Sequence, residues 1–178
     1  MTLEGIFAGF GGQGVMLIGQ LLAYAGMYEG KQVSWFPSYG PEMRGGTANC
    51  SVVVSDEPVG SPVISEPDLL VAMNRPSLEK FEPMLKSGGM LFYNSSLIHV
   101  TPKRTDIQVI PIPANDIATE LGNAKVANMV VMGAILKKTG VVKLETVVSV
   151  LKKTMTGNKE KLIALNQQAL EKGMELVG

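Results

Sequence analysis

Residues 5–28 read GIFAGFGGQGVMLIGQLLAYAGMY, 24 consecutive positions without a charged side chain. The short apolar run at 5–8 predicts an interior strand, and glycines at 9, 11, 12 and 14 predict a tight loop after it. Apolar residues then occupy nearly every position from 15 to 28, as in a helix that packs on a sheet. The glycine cluster would break a membrane-spanning helix, so we expect a buried strand, a glycine loop and a buried helix.

Outward from this unit, strands and helices alternate over most of the first 140 residues, which predicts a mostly parallel sheet with helices on both faces. The segment 47–64 breaks the alternation: a Val- and Ser-rich strand over 47–55 is followed by a turn, and 59–64 is expected to return as a short strand. We therefore predict an α/β fold of three layers, α/β/α, with a mostly parallel open sheet, a Rossmann-like start, an antiparallel element near 47–64 and a single domain over 1–178. The other strands are expected at 33–36, 69–73, 90–93 and 107–112, and the other helices at 76–86, 115–121, 125–138, 143–155 and 159–177.

The charge balance and the cysteine and histidine counts exclude several classes of protein. With 16 Lys+Arg against 16 Asp+Glu, the 178 residues carry no formal net charge, whereas nucleic acids and anionic membranes attract an excess of basic side chains. The single cysteine, Cys50, excludes an internal disulfide framework and an iron–sulfur cluster held by this chain alone. The single histidine, His99, excludes a multi-histidine metal site. The N-terminus lacks the basic region of a secretory signal and cysteine is sparse, so we expect a cytoplasmic protein that contacts neither nucleic acid nor membrane.

The first candidate binding site is the loop after the first strand, with Gly9, Gly11, Gly12, Gln13 and Gly14. Glycines let the backbone approach an anion closely, and the following helix presents free N–H groups there. A dinucleotide enzyme would carry a carboxylate about 20 residues on, but residues 35–38 read WFPS, and no Lys-Ser/Thr pair follows the glycines as in a P-loop. Two interpretations stay open: the loop binds an anionic group of a ligand, or its glycines only permit tight packing of strand on helix.

The second candidate is the loop 37–46, PSYGPEMRGG, which follows the second predicted strand. Loops after the carboxyl ends of parallel strands line the ligand crevice, so both loops are expected at one edge of the sheet. Arg44 stands before two glycines, where its guanidinium could bind a carboxylate or phosphate through two hydrogen bonds. Glu42 could instead pair with Arg44 and merely order the loop, and Tyr39 could stack on a flat ligand or cap the core. The candidate residues of this loop are Tyr39, Glu42, Arg44, Gly45 and Gly46.

Neither loop carries a catalytic constellation. The sequence offers no acid/base pair, no metal-ligating cluster and no activated nucleophile, so we predict no catalytic residue and no metal site in this chain. Cys50 lies in an apolar predicted strand and is expected to be buried, and His99 is expected at the surface. Asn128 stands out as a polar group inside the apolar helix 125–138, where it bonds to a neighbouring loop or faces water.

Several stretches together resemble the gamma subunit of 2-oxoacid:ferredoxin oxidoreductases. They are GFGGQGVMLIGQLLAYAG at 9–26, YGPEMRGGTANCSVVVSDEPVGSP at 39–62, PDLLVAMN at 67–74 and KVANMVVMGAIL at 125–136. The combination of GFGGQG with YGPEMRGG is far more specific than a lone glycine motif, and the likeness covers nearly the whole chain. The sequence looks closest to the subunits for 2-oxoglutarate or a related 2-oxoacid.

This resemblance implies a non-catalytic partner in a larger enzyme. Enzymes of this family convert a 2-oxoacid and coenzyme A to acyl-CoA and carbon dioxide and reduce ferredoxin. The resemblance implies that thiamine diphosphate, Mg²⁺ and iron–sulfur clusters belong to other subunits, that this chain alone holds no cofactor, and that coenzyme A is a co-substrate. It also implies alpha and beta subunits as partners, with a delta subunit in some arrangements, and an inactive lone chain. By motif, the residues of the two loops would reach coenzyme A, thiamine diphosphate or only the neighbouring subunit.

Two other hypotheses remain beside this one. The chain could be a stand-alone Rossmann-type nucleotide-binding protein, or a purely structural module for subunit interaction whose glycines serve packing. An isolated chain could also form a homodimer through the surface meant for its partners. The sequence does not choose between pyruvate, ketoisovalerate and 2-oxoglutarate, because another subunit is expected to hold the acid.

Overall fold

The fold is built on one sheet of six strands in the order β2-β3-β1-β4-β5-β6. The structure is a computed structural model that describes residues 1–38 and 48–178. The strands are β1 (Thr2–Gly9), β2 (Gln32–Ser38), β3 (Ala48–Ser55), β4 (Leu69–Ala72), β5 (Met90–Asn94) and β6 (Gln108–Ile112). The helices are α1 (Val15–Tyr28), α2 (Arg75–Phe81), α3 (Ala114–Glu120), α4 (Ala127–Thr139), α5 (Leu144–Thr154) and α6 (Ile163–Leu176).

Strand β3 is the antiparallel element that the sequence predicted, and it lies between β1 and β2. It pairs antiparallel with both neighbours, with Gly9 opposite Ala48 and Ser38 opposite Asn49. The pairs β1–β4, β4–β5 and β5–β6 are all parallel. The mostly parallel α/β sheet is therefore confirmed, and β2 and β6 form its two open edges.

The predicted return strand over 59–64 is wrong, because the described chain has no strand there. Both sides of β3 are already occupied by β1 and β2, so a hairpin partner for it has no free edge. Pro58 and Pro62 also lack the N–H groups that a ladder needs. The segment instead joins β3 to β4 without a regular element and buries Ile64.

Unequal layers cover the two faces of the sheet. The larger core lies on the face that packs against α1 and α4, and it includes Phe7, Val71 and Phe92. The smaller core lies on the other face, where α2 places Leu78 and Phe81 against the sheet. The three-layer expectation holds, with most of the helical mass on one side.

Two predicted helices differ from the observed ones by four or more residues at one end. The helix expected over 76–86 ends at Phe81 and continues as a 3-10 turn over Glu82–Met84, because Pro83 cannot donate to an α-helical hydrogen bond. The helix expected from 159 begins at Ile163, after a 3-10 helix over Gly157–Leu162. No residue of that 3-10 helix is buried, so it has no apolar face to pack.

Candidate functional site

The candidate site lies where the chain reverses its direction across the sheet. After β1 the chain passes through α1 on one face and reaches β2, whereas after β4 it passes through α2 on the other face and reaches β5. Strands β1 and β4 are direct neighbours, so their carboxyl ends open the crevice in which α/β sheets of this type bind ligands. The glycine loop follows β1 at this place.

Gln13 joins the two sides of this crevice. Its Oε1 accepts a hydrogen bond from the backbone N–H of Phe10 at 2.7 Å, which closes the loop on itself. Its Nε2 donates to the carbonyl oxygen of Met73 at 3.2 Å, just after β4 ends. One side chain therefore sets the shape of the loop and fastens the loop to the neighbouring strand.

Asparagine side chains extend this network, and the sequence analysis missed most of them. Asn94, at the end of β5, donates from Nδ2 to the carbonyl of Met73 at 3.4 Å and to Oδ1 of Asn115 at 2.7 Å. Asn128, at the start of α4, donates to the carbonyl of Gly14 at 3.3 Å, so it bonds to a neighbouring loop rather than facing water. The sequence signal that could have found these asparagines is their position, since Asn74 and Asn94 each stand at the carboxyl end of a predicted strand.

Three buried polar atoms beside this network have no hydrogen-bond partner among the described residues. They are Nδ2 of Asn74, Oγ of Ser77 and Oδ1 of Asn94. Asn74 uses its Oδ1 to cap α2, accepting from the N–H of Ser77 at 2.9 Å. Buried polar groups are normally satisfied, so this edge retains donors and acceptors for a further polar group.

The glycines of the first loop have different structural reasons. A Cβ on Gly9 would lie 2.6 Å from Oε1 of Gln13 and 2.9 Å from Cβ of Met73, so packing requires glycine there. Gly14 has a φ of +76° and faces the Asn128 side chain, which also requires glycine. Gly12 has a φ of +92°, as the turn needs.

Gly11 has no positive φ, and no described atom lies within 4 Å of the position that its Cβ would take, so packing of the described residues does not explain it.

The first turn of α1 opens towards the same crevice. Its N-cap residue is Gly14, no side chain of the described residues caps the N–H groups, and the turn holds no acidic residue. The first N–H groups of a helix carry a partial positive charge and bind anions readily. The geometry around the loop is therefore suited to a phosphate or carboxylate.

The second candidate loop falls outside the described residues, which omit 39–47, so Tyr39, Glu42, Arg44, Gly45 and Gly46 stay predictions. The described residues that flank this segment are Ser38 and Ala48. Ala48 pairs with Gly9, and Ser38 lies one strand further out. Both flanks therefore lie at the sheet edge where the first loop begins.

The position of β2 differs from that in a dinucleotide-binding sheet. In such a sheet the second strand lies directly beside the first, so that its terminal carboxylate reaches the ribose. Here β3 separates them, and β2 ends at Ser38 with an extra strand between it and the glycine loop. Two interstrand spacings of about 4.8 Å place the end of β2 about 10 Å from β1.

Cys50 and His99 both lie where the sequence analysis expected them. Cys50 is buried under α1, and burial raises the pKa of its thiol to about 12. That thiol is not a nucleophile at neutral pH. His99 is exposed. Among residues 1–38 and 48–178, no cluster of His, Cys, Asp and Glu is arranged to hold a metal, and no helix has the length and apolarity to cross a bilayer.

Comparison with known proteins gives consistent matches over nearly the whole chain. Residues 4–176 match the family model described as pyruvate ferredoxin/flavodoxin oxidoreductase. Among curated proteins, the ketoisovalerate oxidoreductase subunit VorA of Methanothermobacter thermautotrophicus is 44% identical over 170 residues, which cover 94% of this chain. The chain spans only 35% of the length of that relative.

Two solved structures have the same fold along the full chain. The gamma subunit of a keto/oxoacid ferredoxin oxidoreductase from Geobacter sulfurreducens is 33% identical with a TM-score of 0.85, and the match covers 98% of both chains. The 2-oxoglutarate:ferredoxin oxidoreductase of Magnetococcus marinus, solved with 2-oxoglutarate, coenzyme A and succinyl-CoA, is 26% identical with a TM-score of 0.89. That match covers 99% of this chain and 31% of the other.

Proposed function

Because this chain belongs to the pyruvate ferredoxin/flavodoxin oxidoreductase family, we propose that it is the gamma-type subunit of a 2-oxoacid:ferredoxin oxidoreductase. The complete enzyme would decarboxylate a 2-oxoacid oxidatively, form acyl-CoA and pass electrons to ferredoxin. Thiamine diphosphate, Mg²⁺ and iron–sulfur clusters would be held by its other subunits. This chain would contribute binding surface rather than reacting groups.

We further propose that the glycine loop contributes to the coenzyme A site of that enzyme. The observation that carries this proposal is Gly11: no described atom lies within 4 Å of the position that its Cβ would take, so packing of the described residues gives no reason for a glycine there. Coenzyme A bears phosphate groups, and the uncapped first turn of α1 lies next to this space. Arg44 and Tyr39, on the segment that follows Ser38, are proposed to complete the site from the second loop.

The 2-oxoacid itself is proposed to be 2-oxoglutarate or a relative such as ketoisovalerate. The solved Magnetococcus marinus enzyme is named for 2-oxoglutarate and the curated Methanothermobacter relative for ketoisovalerate. Rates of the assembled enzyme with pyruvate, ketoisovalerate and 2-oxoglutarate, each at saturating coenzyme A, would choose among them.

A kinetic experiment on the assembled enzyme tests the coenzyme A proposal. The chain is co-expressed with the thiamine diphosphate-binding subunits of its source organism, and viologen reduction is followed while coenzyme A is varied. Gly11→Ala is expected to raise the KM for coenzyme A about 5- to 30-fold, equivalent to a loss of about 1–2 kcal/mol of binding, with the KM for the 2-oxoacid unchanged.

The matched control is Gly60→Ala. Gly60 also has no positive φ and no described atom within 4 Å of its Cβ position, but it lies after β3 and outside the glycine loop. Its KM values should equal those of the wild type. An unchanged KM for coenzyme A in both Gly11→Ala and Arg44→Ala, in a normally assembled enzyme, would reject the coenzyme A site and leave a purely structural subunit.

A further inference from the structure

Helix α1 presents an apolar stripe to the solvent. No residue of Val15–Tyr28 is charged. Its exposed positions recur at helical spacing, and at 100° per residue they fall within about a third of the circumference. We call this stripe the α1 surface, and it consists of the exposed Leu17, Tyr24, Met27 and Tyr28 together with the half-buried Gln20.

The exposure of this stripe is large for apolar side chains. Leu17 is 37% exposed, Tyr24 39% and Met27 51%. A helix that is apolar all round is typical of a helix buried on all sides. Helix α1 buries its inner face against β3, where Gly19 and Gly26 allow close approach, so its outer face needs a second cover.

A shallow groove marks the centre of the α1 surface. It has a volume of about 200 Å³ and runs between α1 and the edge strand β2. Apolar side chains make up most of its lining, and Gln20 supplies the polar group. The lining residues are Gln20, Ala23, Tyr24, Met27, Val33 and Trp35. An exposed apolar patch with such a groove is typical of a protein-binding surface.

The candidate partner of this surface comes from the longer relatives. This chain matches only 35% of the Methanothermobacter subunit and 31% of the Magnetococcus chain, so in both the same domain is joined to much further polypeptide. We propose that the α1 surface docks the subunit of the oxidoreductase that corresponds to this remaining polypeptide, through an apolar and uncharged patch of that subunit. This inference rests on the proposed function.

The α1 surface is continuous with the candidate site. Phe10, in the glycine loop, is 42% exposed, and Leu17 lies in the first turns of the helix that starts from this loop. A subunit that covers the stripe therefore also reaches the crevice at the carboxyl edge. At the far end the surface stops at Tyr28, whose ring centre lies 4.1 Å from the ammonium group of Lys153.

The edge strand β2 favours contact through side chains over extension of the sheet. Proline is tolerated in a strand where its missing N–H would face away from the neighbouring strand, so Pro37 removes a donor from the open edge of β2. Two copies of this chain would lack that hydrogen bond if they paired strand to strand. The side chains of the α1 surface remain as the means of association, which suits a different protein with a complementary apolar patch.

The experiment compares two glutamate variants in the complex. Met27→Glu places a charge in the α1 surface, and Leu176→Glu, at a residue that is 44% exposed at the end of α6, is the matched control. Each tagged chain is co-expressed with the thiamine diphosphate-binding subunits, and the stoichiometry of the purified complex is measured. Met27→Glu is expected to reduce assembly at least ten-fold, whereas Leu176→Glu assembles like the wild type.

Oxidative footprinting supplies a measurement that needs no variant. Hydroxyl radicals should oxidise Met27 in the free chain and leave it at least ten-fold protected in the wild-type complex, while Met1, which is 59% exposed, reacts equally in both. The assembly result counts only if Met27→Glu unfolds at the same temperature as the wild type. If its unfolding temperature is lower, footprinting of the wild-type complex decides.

Each other outcome has a definite meaning. Normal assembly of Met27→Glu, or equal reactivity of Met27 in the free and assembled chains, overturns the docking surface while the proposed function stands. A wild-type chain that does not assemble at all overturns the proposed function itself. An isolated chain that is a dimer, and that Met27→Glu converts to a monomer without affecting the complex, identifies a second copy as the occupant and also overturns the proposal.

Discussion

Gly9 and Gly11 are two residues apart and identical in chemistry, but the structure uses them differently. The Gly9 backbone is enclosed by Gln13, Met73 and Val15, whereas no described atom lies near the position that a Cβ of Gly11 would take. Replacing a glycine that packing requires lowers stability, whereas replacing a glycine that leaves room for a ligand lowers binding affinity. Within one motif, this distinction separates a glycine that packing requires from one that packing of the described residues does not explain.

We expect Gly9→Ala to lower the free energy of unfolding by about 1–3 kcal/mol, because the added methyl group overpacks against Gln13 and Met73. Gly11→Ala should leave the free energy of unfolding within about 0.5 kcal/mol of the wild-type value. Urea denaturation followed by circular dichroism measures both. Equal losses in the two variants would mean that both glycines serve packing.

Cys50 should be unreactive in the folded chain. Burial raises its pKa to about 12, so near pH 8 almost none of it is the thiolate that attacks iodoacetamide. Alkylation should become complete only in denaturant, as mass spectrometry would show. Because this pKa is raised on folding, stability should be unaffected below pH 9 and fall as the pH rises towards 12. Rapid alkylation of the native chain at pH 8 would contradict this assignment.

At the scale of elements, α4 and α6 cross with their backbones in close approach. Helix α4 is buried on every side from Ala127 to Leu136, with the sheet beneath it and α6 above. A Cβ on Gly133 would collide with the carbonyl of Leu170, and one on Gly173 with the carbonyl of Val130. Each helix therefore places a glycine against the backbone of the other.

Either Gly133→Ala or Gly173→Ala should destabilise the chain by about 3 kcal/mol or more, since a backbone carbonyl cannot move aside as a flexible side chain can. The helix propensity of alanine offsets about 1 kcal/mol of this loss. Thermal unfolding of the two variants, with Gly60→Ala as the reference, measures the effect. Wild-type stability in either variant would show that the helices can separate at no cost.

At the scale of the whole molecule, the chain combines a complete sheet with surfaces that have no partner inside the described fold. Its glycine loop, its unpaired polar atoms at Asn74 and Asn94, and its apolar α1 surface lie at or next to one edge. No cluster of ligating side chains accompanies them in the part of the chain that the structure describes. This arrangement suits a subunit whose site is completed by other polypeptides.

The purified lone chain should therefore be colourless and inactive. A single cysteine cannot hold an iron–sulfur cluster that usually needs four, so visible absorption should appear only after assembly with the other subunits. Absorption spectra and viologen reduction, each measured before and after assembly, check this expectation. Oxidoreductase activity of the lone chain would contradict the proposed function.

The first elements of this fold and its α/β class were predictable from local sequence patterns. The strand, glycine loop and helix at 2–28 were predictable because apolar runs and glycine clusters act through local periodicity and turn geometry. The alternation of strands and helices likewise predicted a mostly parallel sheet, since neighbouring parallel strands are joined by a crossover connection that is usually a helix.

How these strands and helices pack together could be seen only in the folded chain. The insertion of β3 between β1 and β2 is a long-range pairing. Because it occupies both sides of β3, no edge is left there for the predicted return strand at 59–64. The bridge from Gln13 to Met73 and the network at Asn94 likewise join residues that are distant in the sequence. The absence of described atoms around the Cβ position of Gly11 also depends on how the loop lies in the fold. Local patterns carry no information about such distances, because packing sets them only after the whole sheet has formed.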